Sequence, residues 1–410
     1  MTDEMLTRRF APVFERIAEG AVAREADRRL PFEQVEWLRE AGFGRIRVPV
    51  EHGGLGASLP QFFGQLIELA RADSNLPQLL RGHFGFVETR LVHPDPAQRE
   101  PWLRLVAEGA LFGNAQSERG NASFWQNATT VVAAGDDWVL EGEKFYSTGS
   151  LFADWILTTA TVDRERSATV LVPADAPGVT RVDDWDGFGQ RLTGSGTTRF
   201  AGVRVPAHQV ETYPNGDFSG TTLLAFFQLV HLATLAGIGR AAVVDAATFV
   251  KRRGRNLVNP VHASPGDDPL VQQVVGQITG ASFAADATVL AAVAAVDDVH
   301  RAQLAGTAEP AHFDRADVAV FGAQGQVIDL VLGLVTRLFE VGGSSAVSSR
   351  FGLDRHWRNA RTLASHNPAI YRNQIVGDFV LNGTSPHQFM RSTWDHVAAT
   401  SPQQPTQETA

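Results

Sequence analysis

Two histidines and a cluster of arginines are the residues whose types invite chemistry. Near the end of the chain, "RNARTLASHNPAIYRNQIVGDF" runs from Arg358 to Phe379 and carries His366 in a His-Asn-Pro turn. "LRGHFGFVE", from Leu80 to Glu88, carries His83. An imidazole titrates near neutral pH and can supply or hold a proton for a reacting group. "KRRGR", from Lys251 to Arg255, offers guanidinium groups suited to bidentate contact with a terminal phosphate. Each feature also has a plainer reading. A lone histidine on an apolar helix is commonly a core residue bonded to backbone. A histidine before Asn-Pro commonly shapes the start of a helix, and arginines at a helix C-terminus commonly cap it. His52, His231 and His356 read as structural, since their spacing makes no metal site. The absence of cysteine removes disulfides, thiolate nucleophiles and cysteine-ligated metals. No Gly-x-Gly-x-x-Gly opens a helix after a strand, so no nicotinamide site is expected.

The elements that must position these groups fall into three blocks. The chain has 410 residues and 44% hydrophobic content, ample for two or three packed subdomains. Up to residue 111 the sequence reads as helices: "LPFEQVEWLREAGF", "LPQFFGQLIELARAD" and "DPAQREPWLRLVAEG" carry apolar residues at helical spacing. The glycine-rich "VPVEHGGLGAS" between the first two is expected as a surface or cleft loop. Residues 112–220 read as an antiparallel β-barrel or sandwich, announced by "TTVVAAGDDWVLEGEKFYS", two β-rich runs about a tight Gly-Asp-Asp turn. Residues 221–383 return to long helices, the first apolar around most of its circumference, and predict a four-helix bundle. Residues 384–410 are expected as a polar, disordered tail. The architecture is therefore α+β and multidomain. No window approaches about 18 consecutive apolar residues, so no membrane span is expected. The N-terminus lacks an apolar secretory core, and the reading is cytoplasmic. With a net charge of −9 and no basic stripe, nucleic-acid binding is not expected.

This order of blocks, with several motifs at matching spacing, resembles the acyl-CoA dehydrogenase superfamily over residues 10–383. "LFGNAQSERGN" (Leu111 to Asn121) is similar to the family's first flavin-contacting strand and loop, with Ser117 at the threonine place, Glu118 at the acid and Arg119 replacing proline. "LEGEKFYSTGSLFADWIL" (Leu140 to Leu157) is similar to the second, placing Tyr146 beside the isoalloxazine and Thr148 where a hydroxyl meets the flavin. "GFGQRLTGSGTTRFAGVRVP" resembles the closing strands, and "FEVGGSSAVSSRFGLDRHWRNAR" the Gly-Gly turn and the arginine-rich helix.

Two departures narrow the resemblance. The dehydrogenases keep a catalytic glutamate after the arginine-rich helix, where this chain reads "TLASHNPAIY". "AFFQLVHL", at the family's alternative position, has no acid either. The Phe-Gly pair that helps hold the adenosine of FAD is absent from "KRRGRNLVNPVHASPGDDPLVQ", while its arginines remain. Both departures resemble the two-component flavin monooxygenases of the superfamily, such as dibenzothiophene monooxygenase and its sulfone-metabolism relatives. That resemblance implies reduced FMN delivered by a separate NAD(P)H-dependent flavin reductase, and oxygenation of a small sulfur- or nitrogen-containing substrate by a C4a-(hydro)peroxyflavin formed with O2. It implies His83 and His366 flanking the flavin, with Asn114 and Thr148 supporting catalysis. Asn114, Ser117, Tyr146 and Thr148 would bind the flavin ring, and Arg253 and Arg255 the phosphate. Phe84, Trp185, Phe226 and Phe227 would wall the substrate pocket. The bundle helices are too apolar for a monomer, so a homotetramer is expected. The rivals are an FAD-dependent acyl-CoA dehydrogenase with a displaced base, and a flavin-free scaffold that kept the fold.

Overall fold

The structure, a computed structural model, describes residues 1–120, 127–215, 220–253 and 264–400, with side chains through Thr393. The first block folds into α1 (Asp3–Ala18), α2 (Ala21–Ala26), α3 (Phe32–Ala41), α4 (Leu59–Ala72), α5 (Asn75–Leu79), α6 (Arg81–Leu91) and α7 (Pro96–Ala107). Local signals set several of these ends. α3 stops at Gly42, whose φ of 78° is the left-handed conformation that only glycine adopts without strain. α4 starts at Ser58, whose hydroxyl accepts the Gln61 N–H while the Gln61 side chain accepts the Ser58 N–H.

The second block supplies β1 (Phe112–Ala115), β2 (Thr130–Ala134), β3 (Asp137–Lys144), β4 (Trp155–Thr161), β5 (Arg166–Pro173), β6 (Val179–Arg181), β7 (Thr198–Pro206) and β8 (Val210–Pro214). They form one sheet in the order β6-β7-β3-β2-β4-β5-β8, with β1 alongside β4. The hairpin is β2–β3, with Ala134 opposite Asp137 and Gly135 at φ 70° in the turn. The sheet is not antiparallel throughout, since β1 and β2 both run parallel to β4. β1 enters directly from α7 and not through a hairpin, so no turn sets its direction.

The third block is α8 (Leu223–Arg252), α9 (Pro269–Leu304), α10 (Pro310–Arg337), α11 (Asp354–Ala364), α12 (Ala369–Asn382) and α13 (Pro386–Thr400). α8, α9, α10 and α12 pack together as the bundle. α13 corrects the expectation of an unstructured tail from residue 384: Met390 is buried, and Phe389 packs against the core. Residues 401–410 lie outside the described residues.

One hydrophobic core joins the first and third blocks through Phe10, Phe43, Phe62, Phe63, Phe84 and Phe226. Each buried phenylalanine contributes about 1.5–3 kcal/mol. A second core lies on the sheet around Val131, Ile156, Val170 and Phe200. Among the described residues, three helices are long and apolar enough by composition to cross a membrane. In α8 78% of the apolar window is buried within the chain, whereas in α9 only 33% is. Single polar residues punctuate each helix, so none shows as an uninterrupted apolar run in the sequence.

Candidate active site

The loop after α11 carries His366, and three elements hold it. Asn367 donates from Nδ2 to Gln228 Oε1 on α8 (3.0 Å), and Gln324 on α10 donates from Nε2 to the Asn367 carbonyl (2.7 Å). The His366 ring then lies 4.4 Å from the ring of His231 on α8. Arg81, the first residue of α6, donates from Nη2 to His366 Nε2 at 3.3 Å. Its guanidinium also stands 4.8 Å above the Phe227 ring. His366 does not cap the next helix, since the N-cap of α12 is Pro368 and no side chain caps it.

The electrostatics of this corner are those of a site short of negative charge. Burial, reinforced by the Arg81 charge and by the closeness of the His366 ring, pushes the His231 imidazole well below its ordinary pKa. Withdrawal of the ring from water and the Arg81 charge both push His366 down as well. The His366 residue as a whole remains open to solvent, and its imidazole is neutral near pH 7. Burial alone lowers Arg81 to about 10. Among the described residues no carboxylate forms an ion pair with Arg81 or His366.

The other wall comes from β1 and the loop after β3. The Asn114 N–H donates to the Thr148 carbonyl (3.2 Å), and Ser150 Oγ donates to the Asn114 carbonyl (3.1 Å). Thr148 Oγ1 and Ser195 Oγ share a hydrogen bond of 2.8 Å. Asn114 Oδ1 and Ser147 Oγ are buried without a partner. Tyr146 holds φ at 60°, a left-handed conformation rare for a bulky residue and a mark of a constrained site. Tyr146 is 49% exposed, and its ring meets Trp185 edge-on at 5.9 Å. The Ser117 carbonyl accepts the Phe145 N–H (2.8 Å). The loop is pinned from below by a buried pair, Lys144 Nζ to Glu118 Oε1 at 2.7 Å.

Glycines on α6 let the two walls approach. A Cβ on Gly82 would sit 2.7 Å from Asn114 Oδ1, and one on Gly85 only 2.1 Å from Phe227. Asn114, Arg81, Phe227, His231 and His366 thus share one neighbourhood.

Several expected site residues stand elsewhere. His83 is fully buried, donates from Nε2 to the Gly44 carbonyl (2.7 Å) and accepts the Phe112 N–H at Nδ1 (3.3 Å). Both ring nitrogens are spent on backbone, and burial lowers its pKa to about 4, so it staples α6 to β1 and does not manage protons. Phe84 and Phe226 are not pocket walls. Phe84 packs between Phe43 and Phe62, and Phe226 against Phe62 and Phe63, all within the core. Arg253 caps α8 and donates to the Val341 carbonyl at 2.8 Å. It lies 22 residues beyond His231 on α8, about 33 Å at 1.5 Å per residue, too far for one flavin to touch both. Arg255 lies outside the described residues. Arg81 escapes sequence reasoning, although one signal marks it: no acid stands three or four residues away on either side to pair with it.

Models of the acyl-CoA dehydrogenase N-terminal, middle and C-terminal domains match residues 3–110, 113–203 and 229–369. The chain belongs to the acyl-CoA dehydrogenase family. A Pseudomonas putida protein described as a probable FMNH2-dependent monooxygenase, SfnC, is 29% identical over 378 residues, covering 90% of this chain and 93% of that one. Dibenzothiophene monooxygenase of Mycolicibacterium goodii is 29% identical over 369 residues, covering 86% and 88%. The crystal structure of FMN-bound TdsC from Paenibacillus sp. A11-2 superposes with a TM-score of 0.84 at 28% identity, over 93% of this chain and 99% of that one.

Proposed function

We infer that this chain is the oxygenase of a two-component flavin monooxygenase. It takes reduced FMN from a separate NAD(P)H-dependent flavin reductase and oxygenates a small substrate. The observation that carries the reading is the His366 corner: where the dehydrogenases keep a carboxylate base, neutral histidines face an arginine. A thioester dehydrogenase has nothing there to remove an α-proton.

The residues present fit a flavin. Asn114 Oδ1 and Ser147 Oγ are orphaned polar atoms that the edge of an isoalloxazine would satisfy. Tyr146 and Trp185 offer an aromatic wall, and the linked hydroxyls of Thr148 and Ser195 can donate or accept. Reduced FMN, when bound, supplies the electrons that activate O2. Around it, His366, whose Nε2 accepts from Arg81, holds or moves a proton at Nδ1, and Asn114 and Thr148 orient the ring. Phe227, not Phe84 or Phe226, supplies an apolar wall beside Arg81. Sulfur- or nitrogen-containing substrates suit this chemistry, as the dibenzothiophene monooxygenase relatives suggest. A cytoplasmic setting, where reductase and NAD(P)H are at hand, goes with it.

The test is oxygen uptake with NADH, FMN, a generic flavin reductase and a panel of sulfides, sulfones and amines. The chain alone should oxidise no NADH, and reductase with FMN should start oxygen transfer. NADH oxidation by the chain without a partner would overturn the reading.

We further propose a homotetramer in which Arg253 and Arg255 of the partner subunit grip the phosphate. α9 supports this, because Phe283 (74% exposed), Leu290 (41%) and Leu304 (60%) repeat on one face at multiples of seven residues. Phe283→Glu with Leu290→Glu would bury carboxylates at that interface, at a cost of several kcal/mol each. Light scattering should then find monomers or dimers. A tetramer persisting in the double variant would place the interface elsewhere.

A further inference from the structure

We propose that Arg81 anchors a negatively charged group of the substrate, so that the enzyme acts on small organic oxyanions (sulfinates, sulfonates or carboxylates). This rests on the monooxygenase reading of the same site and adds the class of compound it takes.

Arg81 is only 9% exposed, and its Nε has no hydrogen-bond partner. Its polar contact is a 3.3 Å bond to a histidine, and beneath it is the Phe227 ring. The other buried arginines of this region are treated differently. Arg24 meets Asp73 at 2.7 Å and Arg47 meets Glu88 at 2.6 Å. An uncompensated buried charge is strongly destabilising, and a cation–π contact offsets only a fraction of that. A fold that pairs its other interior arginines and leaves this one open has a place for an incoming anion. The neighbours fit. His231 is fully buried with both ring nitrogens unpartnered, so its one N–H can donate beside the guanidinium. The histidines are neutral, so an arriving anion meets one fixed positive charge. The position argues for substrate over cofactor phosphate, because Arg81 touches His366, which the functional reading puts at the reacting end.

The test uses the protein loaded with reduced FMN under anaerobic conditions. Calorimetric titration compares methanesulfonate with dimethyl sulfone, and benzoate with benzamide, pairs alike in shape but not in charge. The anions should bind at least about tenfold more tightly than their neutral counterparts, the scale of a charge-assisted contact. Arg81→Met should weaken anion binding about ten- to a hundredfold, leave the neutral compounds and reduced FMN unchanged, and raise the melting temperature of the ligand-free protein. Arg81→Lys should keep part of the anion preference. Equal binding of charged and neutral partners, or no anion binding at millimolar concentration, would overturn the proposal. So would an Arg81→Met variant that loses reduced FMN but not reduced riboflavin, which would make Arg81 the phosphate ligand, or one that melts lower, which would make it structural. Oxygen uptake separates the two readings: turnover of neutral compounds alone defeats the anion site and leaves the monooxygenase standing. No turnover of any compound, with anion preference intact, defeats only the monooxygenase.

Discussion

His366→Ala should form product about a hundredfold or more slowly while the protein melts nearly where the wild type does. That is the usual scale for a lost proton-transfer partner. NADH and oxygen should still be consumed in the presence of reductase, but the oxygen should leave as hydrogen peroxide. The fold should tolerate the change because the ring makes few packing contacts. The loop itself is held by Asn367 and Gln324, not by the imidazole. His366→Glu should not create a dehydrogenase, because the carboxylate would pair with Arg81 instead of standing free as a base. Well-coupled oxygenation by His366→Ala would move the proton chemistry to another residue, with His231 the first candidate.

Lys144→Met should cost about 3–5 kcal/mol of stability, the range for a buried ion pair that loses one partner. Lys144 is fully buried, and its ammonium meets Glu118, Asn127 Oδ1 (2.7 Å) and the Gln116 carbonyl (3.2 Å). Burial pushes Glu118 up, but the Lys144 bond and the amides of Thr129 and Ala128 outweigh it and hold the carboxyl at about 2. The sign of the pH effect follows. A depressed carboxylate contributes stability above its unfolded pKa of roughly 4.5, and that contribution is lost as pH falls towards 2. Without Lys144 the carboxyl prefers its proton, and acid then relieves the variant. Denaturant titrations should show the wild-type advantage largest near pH 7 and shrinking as pH falls below about 4.5. A constant difference across that range would assign the loss to packing alone. The double variant with Glu118→Gln should recover part of the stability.

Much of the architecture was legible because its signals are local. Ser58 and Gln61 announce α4, Gly42 ends α3, and the Gly135 turn pairs β2 with β3. Asn114, Tyr146 and Thr148, the residues proposed to meet the flavin ring, belong to motifs whose order survives in the sequence, and the structure brings Asn114 and Thr148 together. What depends on how helices cross was not legible. α8 is apolar all round, so nothing local says that Phe227 faces Arg81 while Phe226, its neighbour, enters the core. His231 reads as a structural residue until α11 delivers His366 against it. His83 has the spacing of a site residue, yet its two backbone partners come from Gly44 and β1, remote in sequence. The tail misleads by composition: enough apolar side chains, Phe389 and Met390 among them, stand within polar surroundings to seat a helix on the bundle.

The separation of Arg253 from His231 along α8 reaches beyond geometry into the kinetics of the enzyme. In the proposed tetramer, a cofactor gripped at its phosphate by one copy and worked on at its ring by another would have no complete site in an isolated chain. Assembly and cofactor affinity are then a single linked equilibrium. Specific activity should then fall on dilution, and reduced FMN added in excess should draw subunits together. At low protein concentration the rate should rise faster than the first power of the amount of enzyme present.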